Sequence, residues 1–122
     1  MKKIKESQEM YLETILTLQN KKPSVRSIDI AEELGYSRAS VSRAIHLLID
    51  NEMIQMHSDG TIILTNKGQD IAENILERHT VLTNALVALG VSQESAEENA
   101  CRIEHVISDD VFQQIKNHFT IK

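Results

Sequence analysis

Apolar residues recur at helical spacing over residues 6–20, with polar residues on the opposite side. This period predicts a first helix with one buried face, ended by the polar residues and proline at 20–23. The apolar stripe consists of Tyr11, Leu12, Ile15, Leu16 and Leu18.

A short helix, a glycine turn and a second amphipathic helix follow. Ser27 is predicted to cap a helix that runs through Leu34, and Gly35 is predicted to end it. The next helix is predicted over residues 38–51, with an apolar side at helical spacing. That side carries Val41, Ala44, Ile45, Leu48 and, at its margin, Ile49. The arrangement is the helix-turn-helix pattern.

A strand, a turn and a second strand are predicted at 53–56, 57–60 and 61–64, which together form a wing. Three helices then complete the pattern. Their predicted bounds are Thr65 or Asn66 to about residue 90, Ser92 or Ser95 to about residue 107, and 108 onward. The predicted fold is mainly α with a small β wing: a winged helix over residues 1–64 and a helical domain over residues 65–122, linked by the long helix.

Charge is divided unevenly along the chain, which has a net charge of −5. Residues 1–46 hold eight Lys and Arg against six Asp and Glu, whereas residues 92–112 hold one against six. This asymmetry predicts a half that faces phosphates and a half that collects cations.

Composition excludes several classes of protein. No apolar run approaches the roughly 20 residues that cross a bilayer, and no signal-peptide core follows the first lysines. The single cysteine cannot form an internal disulfide, which fits a reducing cytosol. We therefore expect a cytoplasmic protein with no membrane partner.

The start of the second helix of the helix-turn-helix is rich in serine and arginine, as expected of a recognition helix. Small residues at a helix N-terminus allow close approach to phosphates. Arg38, Ser42 and Arg43 are predicted to reach base edges in the major groove. Predicted phosphate partners are Ser40 and Lys67, and Ser37 is a further predicted DNA contact. The alternative is a solvated face of an ordinary helical hairpin, which the following wing disfavours.

A second constellation, Cys101, Glu104 and His105, lies at i, i+3 and i+4, which places the three residues on one helix face. The same reasoning places the glutamates before them on that face and sets Ala96, Ala100, Ile103 and Ile107 opposite, toward the core. A thiolate, a carboxylate and an imidazole suit a transition metal better than Ca(II) or Mg(II). The alternative is a solvated acidic face with an incidental cysteine.

Three more residues are candidate ligands. Met10 lies off the apolar stripe beside Glu13, so a thioether and a carboxylate share one face of the first helix. His79 lies midway along the long helix. The alternatives are a peripheral core methionine and a surface histidine.

Together these segments resemble the DtxR/MntR family of metal-dependent transcriptional repressors. The most specific part is the Cys-Arg-x-Glu-His-Val-x-Ser-Asp stretch at residues 101–109. The other segments that carry the resemblance are residues 9–13, 29–34, 40–42, 64–68 and 78–79. The resemblance implies a winged helix, a helical dimerisation domain, a homodimer and double-stranded operator DNA as the partner.

Ligand roles follow from the resemblance. It places Met10, Cys101, Glu104 and His105 around the activating metal, His79 at a neighbouring second site, and Glu13 at a carboxylate of the manganese-sensing branch. Glu97 takes the place of an ancillary histidine of the iron-sensing branch, and is a weaker candidate. Thr83 stands where that branch has a carboxylate, so a complete second site is not expected. A C-terminal SH3-like domain, from which some members draw ligands, is not expected in a chain that stops at Lys122.

The expected function is a repressor that senses Fe(II) or Mn(II), with Co(II), Ni(II) or Zn(II) acting in vitro and no organic cofactor. Soft donors at Met10 and Cys101 favour Fe(II). One alternative is a winged-helix repressor gated by a small organic ligand, and another is a purely structural dimerisation module. A third is an enzyme with Cys101 as nucleophile and His105 as base, which lacks a Gly-rich loop or nucleophile elbow. Apolar positions beyond the needs of a small lobe also predict dimerisation: Leu82, Leu86, Leu89, Val106, Ile107 and Val111.

Overall fold

Six helices and two short strands hold most of the residues that the structure describes, which are residues 2–120 of a computed structural model; the side chains of 2–5 and 120 lie outside the description. In chain order they are α1 (Lys2–Gln19), α2 (Ser27–Leu34), α3 (Arg38–Asp50), β1 (Ile54–Met56), β2 (Ile62–Leu64), α4 (Asn66–Ala88), α5 (Gln93–Ile103) and α6 (Asp109–Thr120). The predicted class, mainly α with a small β wing, is confirmed. The chain forms two compact units, residues 1–73 and 74–122, so the division falls inside α4.

The first unit is built on the apolar stripe of α1. Every residue of the predicted stripe is buried, and α1 packs on α2, α3 and β2. The helix begins at Lys2, earlier than predicted. The prediction followed the apolar repeat, which starts later, whereas lysine is a good helix former and extends the helix in front of that repeat. On α3 the predicted buried side holds for Val41, Ile45 and Leu48, whereas Ile49 is exposed.

The cap of α2 differs from the prediction. Arg26, not Ser27, is the N-cap residue. The carboxylate of Asp29 accepts a hydrogen bond from the Arg26 backbone N–H at 2.9 Å and another from Lys22. Asp29 therefore satisfies the N–H of the N-cap residue, whereas a capping serine hydroxyl would accept from an N–H of the first turn. Gly35 ends the helix as predicted, in the left-handed conformation with φ 70°, and its N–H donates to the Ala31 carbonyl at 2.8 Å.

The wing is the antiparallel pair β1–β2, in which Ile54 faces Leu64 and Met56 faces Ile62. Ile62 N–H also donates to the Val25 carbonyl at 2.7 Å, which ties the wing to the loop before α2. Thr65 caps α4: its Oγ1 accepts a hydrogen bond from the Gly68 N–H at 3.2 Å.

The second unit contains the rest of α4 together with α5 and α6. Ser92 caps α5, since its Oγ accepts a hydrogen bond from the Ser95 N–H. The helix ends at Ile103, short of the predicted 107, and residues 104–107 form a turn before α6.

Apolar side chains remain on the surface of the second unit. Leu89, Val106 and Val111 are 69%, 61% and 47% exposed, in keeping with the predicted surplus of apolar residues. The prediction was wrong for Leu82, which is only 2% exposed. Among the described residues, no helix is both long enough and apolar enough to span a membrane.

Candidate metal centre and nucleic-acid interface

Glu104 is a fully buried carboxylate, with none of its side chain exposed. Its Oε1 lies 2.7 Å from Nδ1 of His79 on α4, and its Oε2 lies 3.2 Å from Nε2 of His105. Each carboxylate oxygen therefore contacts one imidazole. Burial of a carboxylate is costly without partners, and the hydrogen bond to His79 together with the contact to His105 offsets part of that cost.

This geometry corrects the predicted faces of α5. Ala96, Ala100 and Glu104 follow one another at four-residue spacing, and all three are buried. Glu104 thus lies on the buried side rather than with exposed Cys101, and Ile103, predicted to face the core, is 36% exposed. The prediction failed for two reasons. The helix α5 ends before Glu104, and the prediction assumed that a carboxylate faces solvent whatever its partners.

The structure brings together His79, Glu104 and His105, three of the predicted ligands. Cys101 is exposed on α5, one turn before Glu104, and exposed Glu97 accepts a hydrogen bond from Gln93 Nε2 at 2.9 Å. Met10 and Glu13 are half-buried on α1 in the first unit.

Two imidazoles on one buried carboxylate form a donor set that divalent transition metals accept, so the residues present fit such an ion. The spacing of residues in the sequence gave no signal that His79 and Glu104 meet, because they belong to different helices. Thr83, one turn after His79 on α4, is buried. A charged side chain at this position would need a partner to be buried in the same way.

The first turn of α3 carries the predicted nucleic-acid contacts. Ser37 is the N-cap, and its Oγ accepts a hydrogen bond from the Ser40 N–H at 3.1 Å. Arg43 donates to the Ser40 hydroxyl at 3.4 Å, so Ser40 belongs to the cap network. The exposed residues of this surface are Ser37, Arg38, Ser42 and Arg43.

Two neighbouring features complete this surface. Arg38 and Ser42 line a groove of about 310 Å³ with Ser27, Ile28 and Val41. Exposed Lys67 donates through Nζ to the Asn51 carbonyl at 3.2 Å, which places its ammonium at the C-terminus of α3. A basic side chain there favours the helix dipole and still faces solvent.

Comparison with known proteins decides the family. Residues 3–62 match the family model described as "Iron dependent repressor, N-terminal DNA binding domain". Residues 65–120 match "Iron dependent repressor, metal binding and dimerisation domain". The chain belongs to the DtxR/MntR family of iron-dependent repressors. The resemblance predicted from the motifs is therefore confirmed, and so is the order of the two domains.

Relatives in this family include a transcriptional regulator and an iron-dependent repressor. The transcriptional regulator MntR of Escherichia coli O157:H7 is 33% identical over 100 residues, which are 82% of this chain and 64% of that protein. The iron-dependent repressor IdeR of Mycobacterium tuberculosis (strain H37Rv) is 31% identical over 112 residues, 91% of this chain and 49% of that protein. The chain thus spans between about half and two thirds of the length of these curated relatives.

A solved structure described as a manganese-dependent transcriptional repressor in complex with manganese has a TM-score of 0.86 and 27% identity, and covers 94% of this chain and 53% of its own. The crystal structure of T. acidophilum IdeR has a TM-score of 0.79 and 29% identity, over 93% of this chain and 54% of that chain. Both likenesses extend over the winged helix and the helical domain.

Proposed function

We propose that this protein is a metal-dependent transcriptional repressor that binds double-stranded operator DNA as a homodimer and senses Fe(II) or Mn(II). The observation that carries the proposal is the buried Glu104 carboxylate with an imidazole on each oxygen. This carboxylate belongs to the residues that match the family's metal-binding domain, which follow in the chain the residues that match its DNA-binding domain.

The proposed ligands begin with His79, Glu104 and His105. Cys101, Met10 and Glu13 join them on the strength of the family resemblance, and Glu97 is the weakest candidate. A bound divalent cation supplies positive charge within an acidic stretch, residues 92–112. The chain's own part is to hold Glu104 away from water, with its oxygens fixed by His79 and His105 in different segments.

The choice of metal follows from the donors. The thioether of Met10 and the thiol of Cys101 are soft ligands, which favour Fe(II) over Mn(II). A similar solved structure named for manganese and a relative named for iron support both ions as candidates. Co(II), Ni(II) and Zn(II) also bind sites of nitrogen, sulfur and oxygen donors, so we expect them to act in vitro.

The DNA contacts come from α3 and its surroundings. Arg38, Ser42 and Arg43 are exposed at the first turns of α3, where side chains reach base edges in the major groove. Ser37, Ser40 and Lys67 are assigned to phosphates. In a homodimer, two such helices about 34 Å apart match one turn of DNA. A regulator of this kind acts where the chromosome is, so we place it in the cytoplasm.

A second candidate is the repressor gated by a small organic ligand, and one feature favours it. A groove of about 300 Å³ between α1 and α3 has apolar walls formed by Tyr11, Ala44, Leu47 and Leu48. Its volume suits a small ligand. The enzyme alternative is set aside, because the matched domains are those of a transcriptional repressor.

Fluorescence anisotropy tests the proposal. Protein freed of metal by a chelator is titrated anaerobically, at fixed salt, onto labelled DNA from upstream of its own gene. Fe(II), Mn(II), Zn(II) or Ca(II) is added in separate series. We expect Fe(II) or Mn(II) to tighten binding tenfold or more, about 1.4 kcal/mol. Ca(II), which prefers oxygen ligands, serves as the negative control. Equal affinity with and without every metal would overturn metal dependence and favour the organic-ligand candidate.

A further inference from the structure

Arg78 is a nearly buried cation next to His79 on α4. Its side chain is 11% exposed, and Nη1 donates to the carbonyls of Glu104 at 3.2 Å and Ile107 at 2.7 Å. The same group lies 3.5 Å from the Asp109 carboxylate, and its Cζ is 5.2 Å from the centre of the Phe112 ring. One side chain of α4 therefore contacts the turn after α5 and the first turns of α6.

The two carbonyls that Arg78 binds belong to the turn of residues 104–107. Carbonyls at a helix C-terminus lack partners within the helix, and a cation there also favours the helix dipole. The planar guanidinium can bind two carbonyls at once, which a lysine ammonium cannot do with the same fixed geometry. Arg78 thus caps α5 from another helix and restrains the turn.

We propose that Arg78 is a positioning residue of the metal centre: by holding the 104–107 turn, it fixes Glu104 and His105 against His79. The inference rests on the proposed function. Arg78 and His79 are adjacent on α4. Arg78 binds the backbone of the turn and His79 contacts the Glu104 carboxylate, so one short stretch of α4 holds both groups. Arg78 itself carries a positive charge and binds no cation.

Surface ion pairs contribute little to stability. The Arg78–Asp109 pair is of this kind, because the Asp109 side chain is 75% exposed. The two carbonyl contacts are different, since they are partly buried and act on the backbone that carries two ligands. Groups that orient metal ligands affect affinity by roughly 10- to 100-fold when they are removed.

Anaerobic titration with Co(II), followed by visible absorption, tests this inference because it reports both affinity and ligand geometry. The variants are Arg78→Gln, Arg78→Lys and the control Arg102→Gln. Arg102 is 73% exposed on α5 and pairs only loosely with Glu98, at 4.0 Å, so its loss changes charge without releasing the turn.

We expect Arg78→Gln to weaken Co(II) binding tenfold or more, and Arg78→Lys to restore part of the affinity with an altered absorption band. Arg102→Gln stays within twofold of the unchanged protein. Circular dichroism of the chelated variants separates this result from loss of fold. If Arg78→Gln does not fold, Arg78→Lys alone tests the inference, because it keeps the charge but loses the planar fork, and it is expected to weaken Co(II) binding by a smaller factor.

A folded Arg78→Gln or Arg78→Lys variant with unchanged Co(II) affinity and spectrum would overturn the positioning role and leave the proposed function intact. Failure of the unaltered protein to bind Co(II) would instead contradict the proposed function itself.

Discussion

The Nδ1 atom of His79 lies 2.7 Å from the Oε1 atom of Glu104, although 25 residues separate them in the chain. The contact joins α4 to the turn that follows α5. With His105 on the other oxygen, it surrounds a buried carboxylate with nitrogen donors. The geometry of the second unit thus brings together the imidazoles and the carboxylate that the proposed sensor requires.

Replacing Glu104 with glutamine should abolish most metal binding. The amide keeps the size of the side chain but carries no negative charge and is a poor ligand. We expect affinity for Mn(II) to fall roughly 100-fold or more, since even supporting groups contribute 10- to 100-fold. Isothermal titration calorimetry on chelated protein measures the change. Glu98→Gln, an exposed carboxylate of α5, is the control and should bind as the unaltered protein does.

Replacing Arg38 or Arg43 with alanine should weaken operator binding by about 1–3 kcal/mol and relax specificity at the contacted bases. Lys67→Ala should instead weaken binding to all sequences alike and lower its dependence on salt, as expected of a phosphate contact. Anisotropy on operator and scrambled DNA separates the two effects. Arg102→Ala, with the same change of charge in the second unit, should leave both affinities unchanged. Equal losses on operator and scrambled DNA for the Arg38 variant would assign it to phosphate.

Asp29 should stabilise the first unit at neutral pH and lose this contribution in acid. Hydrogen bonds from Lys22 and from the Arg26 backbone N–H hold the pKa of Asp29 below its ordinary value near 3.8. A lowered pKa stabilises the folded state above the unfolded-state pKa, and this contribution is lost as pH falls through the folded-state pKa. Asp29→Asn should therefore cost about 1 kcal/mol at pH 7, the usual size of a cap contribution, and less at pH 3, which lies below the unfolded-state pKa. Urea unfolding at both pH values, with exposed Asp70→Asn as control, measures the difference; a loss that is the same at both pH values would contradict the argument.

Gly68 should tolerate no side chain. A Cβ built there would lie 2.0 Å from the Met53 carbonyl oxygen and 3.3 Å from Leu64 Cδ2. Alanine normally favours a helix by about 1 kcal/mol over glycine, but here the wing backbone must shift, which typically costs about 1–3 kcal/mol. Gly68→Ala should lower the free energy of unfolding, whereas exposed Asn74→Ala on the same helix should not. A Gly68→Ala protein as stable as the original would show that the wing yields without cost.

The sequence alone determined the order of the elements and the family. The stripe of α1, the glycine stop of α2 and the wing follow from local periods and turn residues, which act over a few positions. The ligand types in the 101–109 stretch were also readable, because the motif keeps its spacing in the chain. These features depend on neighbours in sequence, so they were predictable before any fold was known.

Tertiary structure decided which of those residues meet and which are buried. Glu104 changed from a predicted surface carboxylate to a fully buried one, since His79 arrives from α4 to partner it. The sequence assigns Arg78 no partner, and only the fold places the carbonyls of Glu104 and Ile107 against its guanidinium. Burial of a charged group depends on partners distant in sequence, and only the folded chain brings those partners within hydrogen-bonding distance.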